Sequence, residues 1–195
     1  MAKFRTVNPK FWSDGKVSES FTPEDKLFML YLLTNEHSTQ LGIYSVSIKT
    51  MAFEIGWSKE TIAYLLERFE NNYGIVKYSK ETNEIAIKNF LKHSIHNGGK
   101  PVEDLLKREV NDVKNQELLN FIYTNNINNK NNNITIKNIL EYINNYINNI
   151  NNNNKNESYH DSYHDSYKYN SKQRVKDPDW LKEYVDNFEN TIDNL

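Results

Sequence analysis

The clearest chemistry in this sequence lies in one short stretch of aromatic, hydroxyl and lysine side chains. Such residues near the N-terminal end of a helix can reach base edges, while lysines elsewhere contact phosphates. We therefore predict that five residues of this stretch bind DNA: Trp57, Ser58, Lys59, Thr61 and Tyr64. The acids Glu60, Glu67 and Glu70 outnumber the neighbouring Lys59 and Arg68. This local acidity keeps open the alternative that the same segment binds protein or self-assembles.

A second group of basic side chains follows further along the chain. Four lysines lie on or near two strand-like runs, and we predict that they belong to the DNA-binding surface: Lys77, Lys80, Lys88 and Lys92. A basic N-terminal arm adds four more cations: Lys3, Arg5, Lys10 and Lys16. The partner implied by these groups is double-stranded DNA.

Histidines and glycines give no catalytic, cofactor or metal site. The histidine candidates fall into two pairs: His93 with His96, and His160 with His164. The first pair has no third ligand nearby, and the second lies in the repetitive polar tract SYHDSYHDSY. Phosphate-loop, nucleophile-elbow and dinucleotide-binding motifs are missing from the sequence, and Gly98-Gly99-Lys100-Pro101 has too few glycines to cradle a phosphate. We expect neither an enzyme nor a cofactor-dependent protein.

The elements that position the candidate DNA-binding residues 57–64 are predicted to form a helix-turn-helix. Ser47 caps a short helix carrying Met51 and Ala52, and Gly56 supplies the positive φ that ends it. Ser58 then caps a second helix, whose apolar positions follow the i, i+3, i+4, i+7 spacing of one buried face: Ile62, Leu65, Leu66 and Phe69. The small Ala52 permits the close crossing that such a motif needs.

Neighbouring elements extend this motif to a winged helix. Thr22 and Pro23 start an apolar helix that we expect to be buried on most sides, and residues 42–46 form a strand candidate. Residues 75–78 and 84–87 form a hairpin around a polar turn. The predicted fold is mainly α-helical with a small β-hairpin: a winged helix-turn-helix head, further helices from Pro101 with a break near Asn115, and a largely disordered Asn-rich tail.

Composition divides the chain into three predicted parts. Residues 1–123 mix apolar and polar residues as a globular domain does, whereas 18 of the 37 residues from 120 to 156 are Asn. Because Asn is a poor helix and strand former, residues 124–176 are interpreted as a low-complexity linker. A heptad-like spacing within it suggests a transient helix that orders on self-association: Ile136, Leu140, Ile143, Ile147 and Ile150.

The last part, residues 177–195, is acidic and amphipathic. Its apolar residues recur at helical spacing and are predicted to bind a partner: Trp180, Leu181, Tyr184, Val185 and Phe188. Packing of this helix back on the head is the alternative. Charge also differs along the chain. Residues 1–100 carry 13 basic and 11 acidic side chains, whereas residues 157–195 carry 5 basic and 9 acidic ones. The lack of cysteine, of a long apolar run and of a signal segment leads us to expect a cytoplasmic protein without membrane contact.

Several blocks agree, in order, with a known family. They are Phe11-Trp12, FTPEDKLFMLYLLTN at 21–35, Leu41-Gly42-Ile43-Tyr44, Met51-Ala52-Phe53-Glu54 with Gly56, Arg68-Phe69, KNFLKHS at 88–94 and Gly98-Gly99-Lys100-Pro101-Val102. Over residues 1–123 the chain resembles the N-terminal winged-helix domain of replisome organisers and DnaD-like replication initiation proteins of phages and plasmids of low-GC Gram-positive bacteria.

The resemblance implies an oligomeric protein that binds origin DNA and helps to recruit a helicase loader or helicase. The second, helical domain of DnaD-like proteins is not found here, and Asp179-Trp180 matches only a fragment of its end. Activities of that domain are therefore not expected. A winged-helix adaptor that binds only protein and a transcription regulator without origin function are the remaining alternatives.

Overall fold

The computed structural model describes residues 5–95, 98–130 and 132–171, with side chains described as far as residue 152. The chain divides into two compact units, Met1–Asn149 and Ile150–Leu195. The helices are α1 (Gly15–Glu19), α2 (Pro23–Thr34), α3 (Ile48–Ile55), α4 (Lys59–Glu67), α5 (Phe90–Ser94), α6 (Lys100–Asp112), α7 (Gln116–Asn126) and α8 (Ile134–Ser171). The strands are β1 (Ile43–Ser45), β2 (Val76–Ser79) and β3 (Glu84–Ile87). A 3-10 helix, Pro9–Ser13, precedes α1, and a π-helical turn, Arg68–Asn72, follows α4.

Helix α2 begins as its sequence predicts but is less buried than expected. The Thr22 side chain accepts from the Asp25 backbone N–H, and the Asp25 carboxylate accepts from the Thr22 N–H, which forms a complete capping box. Only Asp25, Phe28 and Leu32 of this helix are buried, and Leu27 is half exposed. Met29, Tyr31 and Leu33 are partly buried against the hydrophobic core, so the expected burial of α2 is reached in part.

A buried ion pair joins the start of α2 to the end of α4. The Asp25 carboxylate is fully buried and pairs with the Arg68 guanidinium. The same carboxylate accepts a hydrogen bond from the Tyr73 hydroxyl at 2.9 Å, and the Arg68 guanidinium lies 5.2 Å from the centre of the Tyr64 ring. These contacts fix the orientation of α4 against α2.

The helices α3 and α4 and the turn between them agree with the local sequence signals. The Ser47 and Ser58 hydroxyls cap α3 and α4, and Gly56 adopts φ +80° at the end of α3. The apolar face predicted for the second helix is buried as a set: Ile62, Leu65, Leu66 and Phe69. The sharp turn between the helices is therefore built by one glycine, Gly56, and one serine cap, Ser58.

A three-stranded antiparallel sheet has the order β1-β3-β2. Strand β3 pairs Ile87 with Val76 and Glu84 with Ser79 on one side, and Ala86 with Ile43 on the other. The prediction of a mainly helical chain with a small hairpin is confirmed, and β1 adds a third strand to it.

Alternation along the strands divides the apolar side chains between two cores. Ile85 and Ile87 belong to the first core with α2, α3 and α4, whereas Ala86 and Ile43 belong to the second. Helices α6 and α7 and the first part of α8 complete the second core. The sheet is thus covered on both faces.

The Asn-rich segment departs from the prediction of a linker. Residues 134–171 form α8, and the proposed heptad seam is almost wholly buried, with Ile143 fully buried and Ile147 6% exposed. The predicted boundary at residue 123 does not coincide with the end of the first compact unit, which is Asn149. The physical reason is that isoleucines at helical spacing bury one face of α8, and this packing overrides the weak helix preference of the intervening asparagines. The seam therefore packs against other residues of the same chain.

Two close contacts fix α8 and α6: the first joins α8 to the loop before α6, and the second joins α6 to the loop before β1. A Cβ built on Gly98 would lie 2.1 Å from Thr135 Oγ1, and the same oxygen accepts from the Gly99 N–H at 3.1 Å. Glu109 of α6 accepts from the backbone N–H groups of Gln40 and Leu41 at 3.1 and 2.7 Å. Burial raises the pKa of Glu109, and the two backbone hydrogen bonds offset only part of that effect.

No helix among the described residues has the length and apolarity required to cross a membrane.

Candidate nucleic-acid interface

The N-terminal end of α4 presents a small polar surface. Ser58 Oγ accepts from the Thr61 N–H at 3.1 Å and lies 3.1 Å from Thr61 Oγ1, so both hydroxyl groups already interact with each other. Lys59 and Glu60 are exposed beside them. Backbone and Ser58 hydrogen bonds lower the pKa of Glu60. The exposed start of α4 therefore carries one positive and one negative side chain.

The two aromatic residues predicted for this surface have different roles. Trp57 is partly buried and packs against the first core, which leaves it mainly a structural residue. Tyr64 is 61% exposed on the outward side of α4 and is flanked by the Arg68 guanidinium. Tyr64 is thus the more accessible aromatic contact.

The hairpin lysines fall into two groups rather than one patch. Lys77 on β2 and Lys80 in the following turn line a cleft beside α7. Lys88 follows the opposite end of β3, and Lys92 is exposed on α5. Four strand residues at about 3.3 Å each place Lys88 roughly 13 Å from the turn that carries Lys80. Lys77 lies between them, because it pairs with Ala86, two residues before Lys88. The four lysines therefore do not form one compact cluster.

The turn of the hairpin lies near the start of α3. The Val46 N–H donates to the Asn83 carbonyl at 2.7 Å, and the Tyr78 hydroxyl donates to the Val46 carbonyl at 3.2 Å. These bonds fix the turn relative to the start of α3. They bring the Lys80 region and the beginning of α3 to the same end of the sheet.

Three residues at the hairpin were not identified from the sequence. Glu117 of α7 pairs with Lys77, with Lys77 Nζ 2.9 Å from Glu117 Oε2. Lys114 is exposed and lines the same cleft. Glu84 is buried and accepts from the backbone N–H groups of Lys114 and Asn115 at 3.0 and 2.9 Å. No local sequence signal announces these contacts, because they join residues 30 to 40 positions apart.

A polar cluster connects α2 with α3 away from the predicted site. His37 Nε2 lies 2.8 Å from Glu54 Oε1, and the Tyr31 hydroxyl donates to Glu54 Oε2. Burial acts to raise the pKa of Glu54, but the hydrogen bonds from Tyr31 and His37 and the charge of His37 lower it overall. Burial and the Glu54 carboxylate raise the pKa of Tyr31. With Glu36, these side chains have the chemistry of metal ligands, yet both Glu54 oxygens already accept hydrogen bonds within the protein.

The predicted partner-binding residues lie outside the described residues. These are Trp180, Leu181, Tyr184 and Phe188, with Val185 beside them. His96, and with it the pairing proposed for His93, also falls outside the described ranges. Their roles stay predictions.

Comparison of the chain with protein-family models, with curated proteins and with solved structures gives no match.

Proposed function

We propose that this protein is a DNA-binding replication initiation protein of the phage or plasmid replisome-organiser type, with a winged-helix head. The observation that carries the proposal is the order of elements α2, β1, α3, α4, β2 and β3, with β1 and β2 on either side of β3. In a winged helix the second helix of the helix-turn-helix enters the major groove, and the hairpin lies beside it. Here those parts are α4 and the β2–β3 hairpin.

The chemistry at the surface of α4 supports contact with duplex DNA. Lys59 and Thr61 at the start of the helix and the exposed Tyr64 one turn later are placed to reach base edges and phosphates. Lys80 and Lys92 are exposed on neighbouring elements and add phosphate contacts. The protein acts by binding and recruitment, without catalysis or a cofactor.

The replication role rests on the resemblance of residues 1–123 to replisome organisers. On this proposal the head binds origin DNA, the chain assembles as a homo-oligomer, and residues 177–195 bind a helicase loader or helicase. Trp180 is the main anchor of that contact, since large aromatic residues dominate such interfaces.

A gel-shift experiment with the full chain and DNA flanking its own gene tests the proposal. We expect binding that weakens steeply with salt, because each phosphate contact releases counterions, and that exceeds binding to an unrelated duplex of equal length. Tyr64→Ala is expected to weaken binding, whereas Phe53→Ala, an 87% exposed aromatic on α3, serves as the matched control. Lack of binding to both duplexes at low salt would overturn the DNA-binding role.

A protein-binding winged helix is the second candidate, and a specific observation favours it. The outward side of α4 carries Glu60 and Glu67 against Lys59, and Lys77 is already paired with Glu117. An adaptor of this kind would capture a protein partner through α4 and leave both duplexes unbound. The same gel-shift experiment, paired with measurement of self-association, separates the two functions.

A further inference from the structure

The cleft between the hairpin and the start of α7 brings together three lysines from two distant parts of the chain. Lys77 and Lys80 come from the hairpin, and Lys114 comes from the loop between α6 and α7. The cleft has a volume of about 490 Å³ and is open to solvent. Two carboxylates, those of Glu81 and Glu117, also line it. Three ammonium groups around one open cleft match the charge of a phosphate group.

A buried carboxylate holds the two sides of this cleft together. Glu84, at the start of β3, is 4% exposed and accepts from the Lys114 and Asn115 N–H groups and from the Thr82 hydroxyl. Its oxygens thus bind both the turn of the hairpin and the α6–α7 loop. The backbone of Lys114 is therefore placed relative to the turn that carries Lys80 by hydrogen bonds to a buried carboxylate.

The Glu117 carboxylate occupies the place beside Lys77 that a competing anion would take. The Nζ–Oε2 distance is 2.9 Å, and the hydrogen bond from Lys77 and its charge lower the pKa of Glu117. Glu117 is 71% exposed, so solvent reaches the pair and a competing anion can replace the carboxylate. An exposed pair of this kind is weak, so a DNA phosphate can compete with the Glu117 carboxylate for Lys77.

We propose that this cleft binds a phosphate group of the DNA backbone, that Lys114 belongs to the DNA-binding surface, and that Glu117 holds Lys77 until the phosphate replaces it. This inference rests on the proposed function and deepens it, because it extends the interface beyond residues 57–92 to the α6–α7 loop. It also gives Glu117 a defined effect: its carboxylate weakens DNA binding.

Fluorescence anisotropy of the full chain with a labelled 20-base-pair duplex tests both parts. Lys114→Ala is expected to weaken binding roughly five- to tenfold at about 0.1 M salt and to lower the slope of log K against log salt by about one. Lys137→Ala, which removes an exposed lysine from α8, is the control and should change neither. Equal effects of the two variants would overturn the assignment of Lys114.

Glu117→Gln tests the competing carboxylate in the opposite direction. We expect binding to become roughly two- to fivefold tighter, since the exposed ion pair no longer opposes the phosphate. Glu141→Gln makes the same change of net charge on α8 and is expected to leave affinity nearly unchanged. Unchanged or weaker binding by Glu117→Gln would overturn this role. Failure of the unaltered chain to bind the duplex would instead reject the proposed function itself, so the two failures are distinguishable.

Discussion

Two glycines with the same backbone conformation are expected to differ in their tolerance of a side chain. Gly42 and Gly56 both have φ +80°, but a Cβ on Gly42 would lie 2.5 Å from the Phe90 Cβ, whereas one on Gly56 meets nothing within 4 Å. Gly56→Ala should lower the free energy of unfolding by about 1–2 kcal/mol, the cost of the left-handed conformation alone. Gly42→Ala adds overpacking, for a total of about 2–5 kcal/mol. Urea denaturation measures both, and equal losses would contradict the close approach.

The cluster around Glu54 gives a prediction about pH. Its pKa is lowered in the folded state, so the stability it contributes is present above the unfolded value of 4.5 and is lost as pH falls through the folded value. Glu54→Gln should therefore be less stable than the unaltered chain at pH 7, and the difference should shrink below about pH 4.5. Denaturation midpoints at pH 7, 5 and 3.5 test this. Glu19→Gln, on the surface of α1, is the control, and a difference independent of pH would reject the effect.

Individual caps and turn residues were predictable because their causes are local. Thr22, Ser47, Ser58 and Gly56 each act on a backbone within four residues of themselves. The pairing of Lys77 with Glu117 was not predictable, because nothing near either residue specifies the other. The same holds for Glu84, whose partners on the α6–α7 loop are 30 and 31 positions away.

Helix α8 offers a comparison of one residue type at two exposures. Ile143 is fully buried in the second core, and Ile134, at the start of the same helix, is 70% exposed. Ile143→Ala is expected to lower the free energy of unfolding by about 2–5 kcal/mol, whereas Ile134→Ala should change it by about 0.5 kcal/mol or less. Thermal or urea unfolding of the two variants provides the measurement. Equal and small effects would restore the interpretation of this segment as a linker.

The sequence pattern located the apolar face of α8 but led to the wrong partner for it. Spacings of 4 and 3 between isoleucines describe any helix with one buried face, whether that face packs within the chain or against a second copy. The asparagine content then favours disorder, because the sequence by itself shows the weak intrinsic helix preference of asparagine and not the packing energy of the folded chain. The apolar surface left by α6, α7 and β3 decides the outcome, and it is created only by the fold.

For the molecule as a whole, the packing of α8 changes which fragment is expected to fold alone. A chain ending at Asn149 keeps both cores, whereas one ending at Tyr123 loses every α8 residue of the second core. We expect residues 1–149 to unfold cooperatively with the melting temperature of the full chain. Residues 1–123 should melt lower and bind a dye that reports exposed apolar surface. Calorimetry and dye fluorescence measure these properties, and identical cooperative melting of both fragments would contradict the two-core architecture.

The second core also has a consequence for synthesis of the chain. Leu91 and Ile147 both belong to it but are 56 positions apart, so at an elongation rate of about 5–20 residues per second its last helix emerges roughly 3–11 s later. Until α8 emerges, the apolar surface that it covers in the second core stays open to chaperones and proteases. Ribosomes that stall within the asparagine-coding stretch would therefore release products that the cell recognises as incomplete and degrades.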